Sequence, residues 1–208
     1  MTDFREGEPM DRARRRPWTY ALWGGVAIGL AVVLYVIATL LIKHGGPADL
    51  NSLAKGGMKD LKVTAAGSPP PSLPILGPDG QATSLTALKA PVVVVNLWAT
   101  WCAPCVTEMP TLAKLQAAYP GKILVVPVSM DTAKDRAKAQ AFIAQYPPLA
   151  LYQDPKASMV FTVTPPADGL PTTILYGRHG REEARVSGGA DWSGPDAHAV
   201  MEALLAEK

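Results

Sequence analysis

The sequence predicts an α/β domain, built on a mixed central sheet flanked by helices, that is preceded by a single N-terminal transmembrane helix. From residue 73 onwards, short apolar runs alternate with segments of helical periodicity. Such alternation is typical of a sheet covered by helices on both faces. An uncharged apolar run precedes this part, and a chain of 208 residues has room for one ordinary domain plus such a tail.

The predicted membrane helix covers residues 18–42, which contain no charged side chain. At about 1.5 Å rise per residue, a helix of this length spans a hydrocarbon core of roughly 30 Å. A cleaved secretory signal is the alternative, but the apolar region of such a signal is usually only about 7 to 15 residues long. The run therefore favours an uncleaved anchor.

The charges on either side of this span predict its orientation. Four arginines lie between residues 12 and 16, directly before the span, whereas only Lys43 directly follows it. Basic flanks are retained on the cytoplasmic side of a membrane. We therefore expect residues 1–17 to form a cytoplasmic basic tail and residues 43–208 to lie outside the cytoplasm.

Residues 43–72 are expected to form a Gly/Pro-rich tether between the membrane and the domain. This segment contains two Gly-Gly pairs and ends in Ser68-Pro69-Pro70-Pro71. Breakers and polyproline formers favour a semi-extended spacer over a packed core. A weakly amphipathic stretch from Asp49 to Val63 is interrupted by two glycines and carries little weight as a surface helix.

Residues 73–208 are expected to form the globular domain. The predicted elements are a hairpin at 73–85 with its turn at 77–80, strands at 91–97, 123–128 and 149–152, helices at 104–118 and 133–145, an antiparallel pair at 172–176 and 185–188, and a helix at 195–205. The turn residues supply the backbone freedom of the hairpin. The Val-rich run at 91–97 is continuous, as expected for a strand covered on both faces, and Pro195 suits the first turn of a helix.

Charge and cysteine content exclude several classes of function. Residues 74–208 hold eleven Lys or Arg against twelve Asp or Glu, so the domain has no basic footprint for nucleic acid. The chain has two cysteines, and both lie in one CxxC motif. This excludes a structural disulfide framework and a four-cysteine zinc site within one chain.

The CxxC motif, Cys102-Ala103-Pro104-Cys105, follows a predicted buried strand and opens a predicted helix. Unpaired backbone amides and the helix dipole stabilise a thiolate in the first turn, and such thiols show pKa values of roughly 3.5 to 7.5 against about 8.5 for a free thiol. Cys102 is therefore the expected nucleophile, and Cys105, one turn later, is the expected resolving thiol. Pro104 lacks an amide hydrogen, so it affects how many donors reach the sulfur.

The motif context resembles one family. The segment Val95–Cys105, followed by Glu108-Met109-Pro110, resembles the TlpA/ResA-like membrane-anchored thioredoxins, and Gly169–Thr173 resembles their cis-proline loop. The resemblance covers roughly residues 73–208. It implies a thioredoxin-like fold on the periplasmic face of the inner membrane, with a redox-active disulfide and no other cofactor. It also implies action on the disulfides of other proteins, often in cytochrome c maturation or cytochrome oxidase assembly.

The resemblance also implies roles for single residues around the cysteines. Pro171 matches the cis-proline that lies against the redox pair. The backbone of Leu170 would then offer an edge to an extended client peptide. Trp101, Ala103 and Pro104 complete the client-binding surface that we expect, with Trp101 at its rim.

Glu108 matches the acidic residue of the family. It lies three residues after Cys105, which is the helical spacing of neighbours on one face. A carboxylate there can accept or return the proton of the resolving thiol, whereas an ordinary solvated helix glutamate is the alternative. Asn96 stands where cytoplasmic thioredoxins place a buried aspartate, and because asparagine cannot titrate, Glu108 is the remaining nearby acid.

We therefore expect dithiol–disulfide exchange that reduces client proteins with disulfides or thiols, such as apocytochrome c or copper-site proteins. A transmembrane thiol electron donor would return the pair to its reduced state. A second hypothesis is an assembly factor that binds Cu(I) through the two thiolates, although the only third ligand in view is Met109, and His179 and His198 have no motif relation to the cysteines. A peroxidase of the peroxiredoxin type is a weaker alternative.

Overall fold

The structure, a computed structural model, describes four parts of the chain: residues 29–30, 32–35, 49–64 and 67–207. The chain divides into two units, residues 1–46 and 47–208. The predicted basic tail and most of the predicted membrane span lie outside the described residues. No helix formed by the described residues is long and apolar enough to cross a membrane.

The first unit is described at a few positions within the predicted span. Residues 29–30 and 32–35 are helical. Their large apolar side chains, Leu30, Val32, Val33, Leu34 and Tyr35, are exposed.

The second unit is built on an eight-stranded mixed sheet with the strand order β1-β8-β7-β4-β5-β6-β2-β3. The strands are β1 Leu61–Val63, β2 Pro74–Leu76, β3 Ala82–Ser84, β4 Val92–Trp98, β5 Ile123–Ser129, β6 Tyr152–Gln153, β7 Thr172–Tyr176 and β8 Glu182–Ser187. Strands β4, β5 and β6 run parallel to one another, and the remaining pairs are antiparallel. The predicted α/β layer architecture is confirmed.

Four α-helices are described in this unit: α1 Ala103–Ala118, α2 Arg136–Ile143, α3 Met159–Thr162 and α4 Pro195–Ala206. Short 3₁₀ turns occur at Leu50–Leu53, Gly56–Met58, Leu85–Ala87 and Ala133–Asp135. The predicted helix at 133–145 is thus a 3₁₀ turn that continues into α2. The predicted helices at 104–118 and 195–205 agree with α1 and α4 to within one residue at each end.

Strand β4 lies near the centre of the sheet and sets the position of the cysteines. It pairs in parallel with β5, where Trp98 faces Ser129, and antiparallel with β7, where Asn96 faces Thr173. The carboxyl ends of parallel strands meet at one edge of a sheet. Helix α1 begins at this edge, a few residues after β4 ends, so Cys102 lies there too.

The prediction of a tether over residues 43–72 is wrong for residues 49–64. Leu50, Met58 and Leu61 are buried in the core of the second unit, and β1 pairs with β8 at the edge of the sheet. The glycines do prevent a regular α-helix here. Two 3₁₀ turns and a three-residue strand nevertheless suffice to bury these apolar side chains, each of which gains free energy on burial.

Strand β8 begins three residues earlier than predicted, because Glu182 already pairs with Tyr176 of β7. The Glu182 side chain is buried and has a charged partner on its own strand. Arg185 donates hydrogen bonds from Nε and Nη2 to the two carboxylate oxygens of Glu182, each at 2.6 Å. A buried charge is tolerated when it is paired in this way. Arg185 Nη1 also donates to the carbonyl of Pro165 at 2.7 Å, so the pair also holds the chain that leads to Pro171.

Candidate active site

The two cysteines lie at the start of α1 and are joined by a disulfide with a Cα–Cα distance of 5.3 Å. Cys102 is the N-cap of the helix, and its Sγ accepts a hydrogen bond from the backbone amide of Cys105 at 3.4 Å. Cys102 keeps 6% of its surface exposed, whereas Cys105 has none. An incoming disulfide can therefore reach Cys102 first.

The turn between β4 and Cys102 is held by Asp131, which follows β5 and is buried. Its carboxylate accepts hydrogen bonds from the backbone amide of Thr100 at 2.9 Å and from the Thr100 hydroxyl at 2.8 Å. Ser129 donates a third at 2.8 Å. Asp131 fixes the chain two residues before Cys102, a role that is not evident from the sequence. Its only sequence signal is an acidic residue just after a buried strand.

Glu108 is buried under the start of α1, with 3% of its surface exposed, so the solvated alternative is wrong. Asn96 Nδ2 donates to Glu108 Oε1 at 2.8 Å. The backbone amide of Ala190 and the indole Nε1 of Trp192 both donate to Oε2, at 3.1 Å and 3.2 Å. The carboxylate is thus surrounded by N–H donors from β4 and from the connection between β8 and α4.

Burial raises the pKa of Glu108 from 4.5 to about 7, although the hydrogen bonds from Asn96, Ala190 and Trp192 each lower it. The cost of removing the charged form from water exceeds the stabilisation that the three donors give it. A carboxyl group with a pKa near neutrality exchanges its proton readily at physiological pH.

Asn96 links this carboxyl group to the strand that follows the predicted cis-proline loop. Its Nδ2 atom donates to the Thr173 hydroxyl at 2.8 Å as well as to Glu108. The Leu170–Pro171 peptide bond is cis, as expected from the resemblance, and Pro171 is buried. The sheet register of Asn96 opposite Thr173 brings the two segments together.

The connection between β8 and α4, residues 188–194, contacts each part of the site; we call it the β8–α4 loop. The amide of Gly188 donates to the carbonyl of Pro171 at 2.8 Å. A Cβ at Gly189 would lie 3.6 Å from Pro104, so the loop runs alongside the first turn of α1. Ala190 and Trp192, which follow in the loop, donate the hydrogen bonds to Glu108 that are described above. No sequence signal marks this loop, because its contacts with Glu108 join residues more than eighty positions apart.

The remaining residues of the predicted client-binding surface lie around the disulfide. Trp101, Ala103 and Pro104 are exposed and Leu170 is half-buried, and Trp101 has 69% of its surface exposed. In the described part of the chain, no three His, Cys, Asp or Glu side chains are placed together to hold a metal ion. A cysteine that caps a helix N-terminus, with a buried carboxyl group on the same helix, is an arrangement suited to thiol–disulfide exchange.

Comparison with known proteins agrees with this chemistry. The model of the family described as "Thioredoxin" matches residues 82–189, which is more than half of the chain. The chain belongs to the thioredoxin family. It is 27% identical to the thiol-disulfide oxidoreductase ResA of Bacillus cereus over 159 residues, covering 75% of this chain and 88% of that one.

Two further relatives support the same activity. The ResA protein of Geobacillus thermodenitrificans is 30% identical over 129 residues, covering 61% of this chain and 71% of its own. The crystal structure of a candidate thiol:disulfide interchange protein DsbE from Chlorobium tepidum matches with a TM-score of 0.56 and 26% identity, covering 69% of this chain and 99% of that one. This thioredoxin-family chain is a thiol-disulfide oxidoreductase of the ResA/DsbE type with a CxxC pair.

Replacing Glu108 by Gln is expected to change how the stability of the oxidised protein depends on pH. The folded pKa, about 7, is higher than the ordinary value of 4.5. Between these values the unfolded chain releases the proton while the folded chain keeps it, so stability falls as pH rises. Above about pH 7 the full cost, about 3 kcal/mol, is present.

Glutamine does not titrate, so the Glu108→Gln variant does not lose this unfolding free energy as pH rises. Urea unfolding of the two proteins should show the difference in unfolding free energy moving in favour of Glu108→Gln as pH is raised from 4.5 to 8. A difference that stays constant over this range would mean that Glu108 titrates as in an unfolded chain.

Proposed function

We propose that this protein reduces disulfides of client proteins, with Cys102 as the nucleophile and Cys105 as the resolving thiol. The observation that carries the proposal is the unequal exposure of the two sulfur-bearing residues at the helix N-terminus. Cys102 caps α1 and keeps 6% of its surface exposed, whereas Cys105 is fully buried. Such a difference suits a pair in which one thiol meets the client and the other closes the disulfide.

The proposed reaction begins from the reduced pair. The Cys102 thiolate attacks one sulfur of the client disulfide, which forms a mixed disulfide and releases the other client sulfur as a thiolate. Cys105 loses its proton and attacks Cys102, which forms the Cys102–Cys105 bond and releases the second client sulfur. The client gains two electrons and the cysteine pair loses two. The described structure, with its disulfide closed, corresponds to the product of this reaction.

In this proposal Glu108 accepts the proton of Cys105 during the second step. The two residues lie one helical turn apart on α1, a spacing that places side chains on one face. With a pKa of about 7, the carboxyl group can both take up a proton and return it at physiological pH. Because Asn96 cannot titrate, it serves to orient the carboxylate, to which it donates at 2.8 Å.

Client peptides would bind beside the disulfide in an extended conformation. The backbone of Leu170, ahead of the cis-Pro171 bond, would offer hydrogen bonds to such a peptide as the edge of a sheet does. Trp101, Ala103 and Pro104 are exposed next to Cys102 and would contact client side chains.

We further propose that the chain is anchored in the inner membrane by one helix over residues 18–42, with its N-terminus in the cytoplasm and residues 43–208 in the periplasm. The uncharged apolar run and the arginines before it support this arrangement. A transmembrane thiol donor would then re-reduce the pair. The resemblance to the TlpA/ResA-like group supports clients in cytochrome c maturation or cytochrome oxidase assembly, and the proposed reaction needs no cofactor besides the disulfide.

The Cys105→Ser variant is expected to accumulate mixed disulfides with client proteins. The variant keeps the attacking thiol but lacks the thiol that releases the client. Non-reducing gels of membranes that contain the variant should show adducts that disappear on reduction, and mass spectrometry of the adducts would identify the clients. The matched control, Cys102→Ser, should trap far less; if Cys102→Ser traps clients and Cys105→Ser does not, the two roles are reversed.

A reporter that is active only in the periplasm, fused after Lys208, is expected to give activity in cells. A cytoplasm-only reporter at the same position should be silent, because the arginines before residue 18 hold the N-terminus inside. The opposite pattern of the two reporters would overturn the proposed orientation.

A further inference from the structure

Trp192, in the β8–α4 loop, is fully buried and contacts the carboxyl group of Glu108 directly. Its indole Nε1 donates to Glu108 Oε2 at 3.2 Å, and the amide of Ala190 donates to the same oxygen at 3.1 Å. A buried indole N–H usually finds a hydrogen-bond partner. Here the partner is the buried carboxyl group that lies one helical turn after Cys105.

The backbone of Trp192 is fixed to the same turn of α1. Its amide donates to the Thr111 hydroxyl at 3.1 Å, and that hydroxyl donates to the carbonyl of Glu108 at 2.7 Å. Together with the indole contact, these bonds close a ring through Glu108, Thr111 and Trp192. The loop therefore holds both the backbone and the side chain of Glu108, which leaves the carboxyl group little freedom to move.

Adjacent residues of the loop hold this geometry in place. The carboxylate of Asp191 accepts from the amide of Ser193 at 3.0 Å and from its hydroxyl at 2.8 Å, which closes a tight turn around Trp192.

We propose that Trp192 is a positioning residue for proton transfer, which holds Glu108 Oε2 and so keeps the carboxyl group in place one helical turn after Cys105. This inference rests on the proposed role of Glu108 and deepens it. The loop brings the indole to a carboxylate eighty-four positions earlier in the sequence, at the point where the loop also runs alongside Pro104.

An N–H donor stabilises the ionised form of a carboxyl group more than the neutral form. Trp192 therefore favours the charged state of Glu108 and opposes the effect of burial. The groups that hold Glu108 are neutral: an asparagine amide, a backbone amide and an indole. On its own helix, Cys105 is held in the disulfide and does not titrate in this state, and the other charged side chain is that of Lys114. In the loop, the Asp191 carboxylate is turned toward Ser193 and interacts with Lys114.

The contact can be tested in the unmodified protein by NMR. The full-length chain in detergent micelles would be labelled with ¹⁵N in its five tryptophans, and the indole signals followed from pH 5 to 9. The Trp192 indole proton should move downfield with a midpoint near pH 7, because its acceptor becomes charged. Trp98 Nε1, which is buried and has no hydrogen-bond partner among the described residues, is the internal control and should not follow this titration.

The same titration in Glu108→Gln should be flat at Trp192. If the Trp192 signal is flat in the unmodified protein, or is unchanged by Glu108→Gln, the proposed contact does not exist. Because this measurement needs no substitution at position 192, it decides the matter even where a Trp192 variant does not fold.

The effect of the Trp192–Glu108 contact on the pH dependence of disulfide exchange is tested with two Trp→Phe variants. Trp192→Phe removes one donor from the carboxylate and should raise the midpoint of the pH profile of disulfide exchange by about one unit, a tenfold change in the ionisation equilibrium of Glu108. Trp98→Phe removes an indole N–H without touching Glu108 and should leave that midpoint unchanged.

The outcomes distinguish the proposed role of Glu108 in proton transfer from the proposed role of Trp192 in positioning it. If Glu108→Gln leaves the pH profile of exchange as it is, the role of Glu108 fails. If Glu108→Gln changes the midpoint of the profile while Trp192→Phe leaves it in place, the role of Glu108 stands and the role of Trp192 is overturned. A midpoint raised by Trp192→Phe and not by Trp98→Phe supports both.

Discussion

The chemistry of this protein depends on where one helix begins. Helix α1 starts directly after the central strand β4, and Cys102 is its N-cap, with Sγ accepting from the Cys105 amide at 3.4 Å. Backbone amides in the first turn of a helix lack intrahelical partners, so they stabilise negative charge placed there. Asp131 holds the preceding turn through Thr100, which keeps the sulfur at this position.

One helical turn after Cys105, two opposing effects set the protonation state of Glu108. Burial favours the neutral acid, and three N–H donors favour the charged form; their balance leaves the pKa at about 7. Were the carboxyl group exposed, its pKa would remain near the ordinary value and the carboxylate would be a much weaker base for the proton of Cys105. Were the donors absent, burial would keep it protonated at neutral pH. The β8–α4 loop provides two of these donors and also contacts Pro171 and Pro104. It therefore connects Glu108 with the cis-proline loop and with the first turn of α1.

Much of this arrangement could be predicted from the sequence because its signals are local. The Val-rich run of β4, the CxxC motif and the proline at the start of α4 each indicate their element within a few residues. The packing of residues 49–64 and the roles of Asp131 and Trp192 could not be predicted. The contacts of Asp131 and Trp192 join residues far apart along the chain. For residues 49–64, the sequence of a flexible tether and that of a packed 3₁₀ turn can both place apolar residues between glycines, so the sequence does not distinguish them.

The central claim is that the start of α1 makes Cys102 the more acidic of the two thiols. The most direct measurement is the rate of alkylation of the fully reduced protein as a function of pH, with each cysteine followed separately by peptide mass spectrometry. Cys102 should react with a midpoint below about pH 7.5, and Cys105 should react more slowly because it is buried. If both cysteines instead show the midpoint of a free thiol, about 8.5, the helix N-terminus does not activate the sulfur of Cys102.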